Sequence, residues 1–241
     1  MTRNAIFFVQ YFLPLFINTI MKNKLSVVSA LCAATLFSAQ IDLRNTRFGI
    51  TGGGTYSRVS NAHNPSGPIY SGFGGVLALI PVENNDQFYI QPGIEYLGAG
   101  ETGKDKDMKG AVGYDAVYAN NYISVPLYFK GYFSEAESEF FGLAGPKFNF
   151  LINQNIKNAP LRYTEEGDPA TGIHGKAASF NFGVGVGIGF SYKRMFEVTT
   201  RYDIGLSNTY KGLMKEQTND PNVSKKKSEQ VLSVGLSYIF Q

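Results

Sequence analysis

From residue 41 onward the apolar residues recur at every second position, and this period constrains the fold more than any other property of the chain. Over 196–207, Phe196, Val198, Thr200, Tyr202, Ile204 and Leu206 alternate with Glu197, Thr199, Arg201, Asp203 and Gly205. Over 180–190, Phe180, Phe182, Val184, Val186, Ile188 and Phe190 alternate with Asn181, Gly183, Gly185, Gly187 and Gly189. Ile123, Val125, Leu127 and Phe129 alternate in the same way with Ser124, Pro126, Tyr128 and Lys130, and Leu232, Val234, Leu236, Tyr238 and Phe240 with Ser233, Gly235 and Ser237. Successive side chains of a strand point to opposite faces, so each segment has one oily face and one polar or bare face. No run of about 18 apolar residues follows Gln40, so this part of the chain has no helix that could span a bilayer.

The pattern predicts eight strands, at 46–58, 69–80, 87–98, 121–133, 139–151, 177–190, 196–207 and 229–240. Each has about the 9 to 11 residues that a tilted transmembrane strand requires, or slightly more. The connections alternate in length. Residues 81–86, 134–138 and 191–195 are short turns, whereas 59–68, 99–120, 152–176 and 208–228 are long and polar. Short turns on one rim and long loops on the other are the asymmetry of a bacterial outer-membrane barrel. The fold class expected is therefore all-β: an eight-stranded antiparallel up-and-down transmembrane barrel, with short periplasmic turns and long extracellular loops.

A barrel in water turns its oily face inward, and one in lipid turns it outward. The polar face here is rich in Gly and Ser and carries Arg47, Glu95, Lys130, Lys147, Glu197, Arg201 and Asp203. Small groups and charges of mixed sign suit a narrow lumen, where they must pair because an isolated buried charge is costly. These residues are expected to form one lumenal ion-pair network, and eight strands leave room for little besides side chains.

Aromatic residues gather beside the short turns. Phe88 and Tyr89, Tyr132 and Phe133, Phe140 and Phe141, Phe190 and Tyr192, Phe196, Tyr238 and Phe240 are expected to form a periplasmic girdle. A looser set, Tyr56, Tyr70, Tyr96, Tyr122, Phe150 and Tyr210, is expected at the outer interface.

The N-terminal region has the grammar of export. Met21 to Lys24 is a basic segment and Leu25 to Phe37 an apolar one, so 21–39 reads as a signal peptide cleaved after Ala39, with Ala34 as the alternative site. Residues 1–20 read as an over-extended N-terminus, with a membrane helix as the other reading, and 40–241 as the barrel. Cys32, the single cysteine, would leave with the leader.

The last strand, Ser233 to Phe240, resembles the C-terminal signal that the outer-membrane assembly machinery recognises, with Gly235, Tyr238 and Phe240 at its marked positions and Gln241 as one residue extra. With the Gly-rich first strand, Phe48 to Gly54, and the segment Ile90 to Tyr96, the chain resembles the PorT-like outer-membrane barrels of Bacteroidetes. That resemblance implies an outer-membrane location and covers about 200 residues; the founding member is linked to protein secretion, but a shared fold does not transfer function.

Other chemistry finds little support. Gly183, Gly185, Gly187 and Gly189 keep a period of two inside a strand, unlike a phosphate-cradling loop, and read as room for bulky neighbours in the lumen. His63 and His174 have no partner at metal-ligand spacing. A base such as His174 with Ser179 or a loop carboxylate lacks a local catalytic signature, so the chain is not expected to be an enzyme and no cofactor is expected. The net charge is +3 and the one basic run, Lys225 to Lys227, lies in a loop, which argues against nucleic acid as a partner.

The expected function is a membrane-anchored scaffold whose loops, including 101–107 and 164–169, meet lipopolysaccharide or surface and envelope proteins, with outer-membrane lipid and the assembly machinery as further partners. The alternatives are a component of a secretion or transport system, a narrow channel for small apolar molecules, and a soluble lipocalin-like carrier. The last lacks the Gly-x-Trp signature, since the chain contains no Trp.

Overall fold

A computed structural model describes residues 45–63, 66–82, 86–103, 116–216 and 223–240. The expected leader, its cleavage sites and Cys32 lie outside them. The strands are β1 (Arg47–Ser60), β2 (Ser66–Gly67), β3 (Ile69–Pro81), β4 (Phe88–Gly103), β5 (Ala116–Tyr132), β6 (Glu139–Lys157), β7 (Phe180–Tyr192), β8 (Phe196–Gly205) and β9 (Ser228–Ile239). Apart from β2, each pairs antiparallel with its neighbours in chain order. The β1–β9 and β4–β5 pairings complete the circuit, so eight strands form a closed barrel with no free edge. β2 is a two-residue addition to the outer end of β4, pairing Ser66 with Gly103 and Gly67 with Thr102.

The alternation of side chains sets the two surfaces. Phe48, Ile50, Val76, Ile94, Phe129, Val186, Ile188, Val198, Val234 and Leu236 are exposed on the outside of the wall. Lys130, Lys147, Glu95, Glu197, Arg201 and Asp203 are buried inside it. An oily outer wall around a charged interior is the arrangement for lipid, and the reverse of a lipocalin-like carrier in water.

The wall is longer on one side than the alternation indicated. β4 runs on to Gly103, β5 begins at Ala116 and β6 continues to Lys157, because the three keep pairing beyond their neighbours, up to Gly103 with Ala116 and Val117 with Lys157. Glu101 to Gly103 are thus strand, not loop. A bulge between Asn121 and Tyr122 adds one residue to β6 where this extension begins. β7 starts later than expected, at Phe180, because the backbone before it is engaged elsewhere: Ala177 N–H donates to Gln154 Oε1 and Ala178 N–H to the Thr209 carbonyl, both at 2.8 Å.

The described parts of the first, third and fourth long connections are themselves folded. Val59, Ala116, Tyr118, Ile173, Ala177, Tyr210 and Leu213 form a buried cluster at the outer end, joined by Ala62, Leu151, Ile156, Ala159 and Tyr163. Burial of this kind is the main stabilising contribution open to an otherwise polar loop. The result is a cap over the outer mouth.

Candidate functional site

The lumen is filled level by level. At the periplasmic end Arg194, in the turn before β8, donates to the carbonyls of Asp86 (2.9 Å), Ala136 (3.1 Å) and Ser134 (3.1 Å) and pairs with Glu139. One guanidinium thereby ties three short turns together while lying 3.7 Å from the Tyr132 ring centroid. Its five donors in a planar fork make this possible, and a lysine could not reproduce it.

Above this clasp, Arg47 on β1 donates to the Tyr89 hydroxyl. Lys130 on β5 lies 2.5 and 2.6 Å from the two oxygens of Glu197 on β8, and the Tyr132 hydroxyl donates to the same carboxylate at 2.7 Å. Arg201 on β8 grips Glu95 on β4 at 2.7 and 3.0 Å. Lys147 on β6 sits 2.5 Å from Asp203 on β8 and 3.9 Å from Glu95. Strand β8 therefore carries three charges on one face, and each finds its opposite on a different strand. Such pairs, desolvated on both sides, compensate one another, and loss of one member leaves an expensive charge behind.

The glycines of β7 provide the room. A Cβ on Gly185 would come within 2.4 Å of an Asp203 carboxylate oxygen, one on Gly187 within 2.9 Å of Arg201 Cγ and one on Gly189 within 2.3 Å of the Phe141 ring. Small gaps persist among the described residues, two of them inside the lumen. One is lined by Lys147, Asn181, Asp203 and Glu229, the other by Gln91, Glu197, Arg201 and Ser233, and each has space for about one water. The first lies above the Arg201 level and the second beside it.

At the outer end the chemistry changes. Glu229 accepts from Asn120 Nδ2 at 3.3 Å and from the Tyr122 hydroxyl at 3.0 Å. The His63 Nδ1 lies 2.8 Å from Glu101 Oε1, with both side chains buried. Tyr210, in the last long connection, accepts from Asn120 at 2.9 Å, and burial holds its phenol well above the usual range. His174, against the backbone of Gly212, is held below the ordinary imidazole value by burial and then by Lys215 and Lys176. Among the described residues no group of three or more His, Cys, Asp or Glu is placed to hold a metal ion.

A model of the family described as "Outer membrane protein beta-barrel domain" matches residues 37–211. The chain belongs to that family. No curated protein sequence matches it. Among solved structures, Ail, the attachment invasion locus protein of Yersinia pestis, matches at 11% identity over 80% of this chain and 98% of its own, with a TM-score of 0.39. OprG of Pseudomonas aeruginosa matches at 13% over 81% and 96%, TM-score 0.40, and a major outer membrane protein of Thermus thermophilus at 14% over 81% and 99%, TM-score 0.44.

For this outer-membrane barrel, the aromatic girdle requires correction. Phe88, Phe133, Phe140, Phe190, Tyr192, Phe196 and Phe240 lie on the outside of the wall, with Phe140 and Phe190 in edge contact at 5.1 Å and Phe196 and Tyr238 tilted against each other at 5.0 Å. Tyr132, Tyr89 and Phe141 do not belong with them. All three are buried in the lumen: 88–89 and 140–141 are consecutive in a strand and Phe133 directly follows Tyr132 at the end of β5, so only one member of each pair faces out. The same rule takes Tyr122 out of the outer girdle, and Tyr210 is buried in the cap. Tyr56 and Tyr70 remain outside, in edge contact at 5.2 Å.

In the C-terminal segment, Tyr238 and Phe240 meet edge-to-face outside at 5.3 Å, while Gly235 turns inward beneath the Phe73 ring. Two features were beyond reach of the alternation: Arg194, which reads as an ordinary turn residue, and the His63–Glu101 pair, whose members lie 38 residues apart.

Proposed function

We propose that this barrel is a membrane-anchored scaffold whose working part is the cap on its long-loop end, which contacts lipopolysaccharide or proteins of the envelope and surface. The observation that supports the reading is the common core to which the first, third and fourth long connections contribute, with Ala62, Tyr163, Ile173 and Leu213 among its members. A preformed surface loses less conformational entropy on meeting a partner than free loops would. Delivery through a signal peptide, and recognition of Gly235, Tyr238 and Phe240 by the assembly machinery, belong to the same reading.

A channel for small apolar molecules fits less well, since the path would run past Lys130, Arg201, Lys147 and their carboxylates, all buried. Participation in secretion, as the PorT-like resemblance implies, would use the same cap or the outer wall rather than the lumen. Gene deletion with replacement by a barrel whose long loops are shortened separates the two. The scaffold reading expects secreted proteins at normal levels and altered surface binding with the shortened loops. Loss of secretion in the deletion strain would defeat it.

A further inference from the structure

Through most of the lumen every buried carboxylate meets a lysine or arginine: Glu139 meets Arg194, Glu197 meets Lys130, Glu95 meets Arg201 and Asp203 meets Lys147. Above Lys147 this balance stops. Glu229 and Glu101 are both buried, and among the described residues no lysine or arginine comes within 4.0 Å of either carboxylate. Glu229 meets an amide and a phenol, and Glu101 meets His63 and the Ser66 hydroxyl.

The surroundings of His63 are those of a cation site. Its ring lies flat on Tyr118, with centroids 4.0 Å apart and planes 14° from parallel, and meets the edges of Tyr163 at 5.5 Å and Tyr210 at 6.0 Å. Glu101 closes one end of the box. The face of Tyr118 and the buried carboxyl of Glu101 together attract an organic cation, and a flat slot on a ring favours a planar one. His63 Nε2 and Glu101 Oε2 are buried there without hydrogen-bond partners, a costly state that a donor on a ligand would relieve for the oxygen.

The walls are built into the barrel and cap: Glu101 at the end of β4, Tyr118 on β5, and Tyr163 and Tyr210 in the third and fourth long connections. His63 arrives from a short turn after β1 whose first residue, Asn61, has φ 58°. Like Tyr163 and Tyr210, it lies outside the strands.

We propose that this box is a binding site for a planar organic cation of the guanidinium class, free or on the side chain of a partner's arginine, with His63 as a built-in occupant that withdraws when the ligand enters. The site goes beyond the scaffold reading and does not depend on it.

The test uses the full barrel folded in detergent micelles, with folding checked by heat-modifiable gel mobility. His63 and His174 are the only histidines, so the His63 ring proton can be assigned in an NMR spectrum with a His174→Gln variant. Methylguanidinium is expected to move that resonance saturably as the ring leaves Tyr118, whereas N-methylurea, its neutral isostere, is expected to leave it in place. Glu101→Gln should weaken binding by about tenfold or more, the loss of one charge-assisted hydrogen bond. His63→Ala should bind methylguanidinium more tightly than the wild type.

A Gly-Arg-Gly peptide distinguishes the sources: binding at least equal to that of methylguanidinium supports a partner's arginine, and binding of methylguanidinium alone a free ligand. Absence of a saturable shift in the wild type, or equal binding of N-methylurea, would overturn the proposal even if a variant failed to fold. So would a folded Glu101→Gln barrel that binds as well as the wild type.

Discussion

Arg201 on β8 reaches across the lumen to Glu95 on β4 and holds both carboxylate oxygens, at 2.7 and 3.0 Å. Lys147, the next cation, stands 3.9 Å from Glu95 and is already committed to Asp203 at 2.5 Å. Removal of the guanidinium by Arg201→Ala therefore leaves a buried carboxylate without close compensation. The variant should lose on the order of 3 kcal/mol against urea in detergent, where an exposed ion pair would cost under about 1 kcal/mol. Adding Glu95→Gln should restore part of the loss, since no uncompensated charge then remains. A single variant as stable as the wild type would mean that the pair contributes nothing to the fold.

Arg194 acts on the opposite rim, where its contacts to the carbonyls of Asp86, Ser134 and Ala136 span three turns. Arg194→Lys keeps the charge for Glu139 but not the fork of donors. It should cost roughly 2 kcal/mol, with Arg194→Ala costing about 3 or more, because the carbonyls and the carboxylate lose partners in a largely buried place. Limited proteolysis from the periplasmic side should cut first within 133–138. Unchanged resistance in Arg194→Ala would show that the turns hold themselves.

The outer wall can be tested by depth. Val186, near mid-height on β7, is exposed on the oily face, so Val186→Arg should cost roughly 2 to 4 kcal/mol on refolding into vesicles, the penalty for a cation at the bilayer midplane. Lys157→Arg, at the outer end of β6, is the control and should be neutral. Equal tolerance of the two would take the wall out of lipid.

How far these features could be read in advance follows from what a period of two conveys. It identifies strand faces, so Glu197, Arg201 and Asp203 are placed together on the inside of β8 from their spacing alone. It does not convey which residue on another strand lies opposite, because that depends on register and barrel tilt. Lys130 with Glu197 and Arg201 with Glu95 are contacts across 67 and 106 residues. Proximity to a turn misled for Tyr132 and Tyr89, where parity should have overruled it. Cap contacts such as Tyr118 with His63 have no periodic signature at all, since irregular backbone carries no fixed alternation.

The cap should loosen in acid. Burial and the nearby Lys215 and Lys176 hold His174 neutral in the folded cap to lower pH than its ordinary value of 6.5. The open chain takes up a proton near pH 6.5 and the closed cap only below it, so stability is full above that pH and falls as the pH drops through and below it. Hydrogen exchange in 161–179 and 207–216 should quicken between pH 7.5 and 5 after correction for intrinsic rates, and His174→Gln should flatten the dependence. The same acid response in His174→Gln would assign it to another group.

Closure of the lumen is what sets this barrel apart from a channel, and planar-bilayer recording with the purified barrel tests it most directly. With Arg194, Lys130, Arg201 and Lys147 each paired across the interior, the wild type should show no steady ohmic conductance. A stable open level, reproducible from one insertion to the next and unchanged in the Arg201→Ala variant, would contradict it.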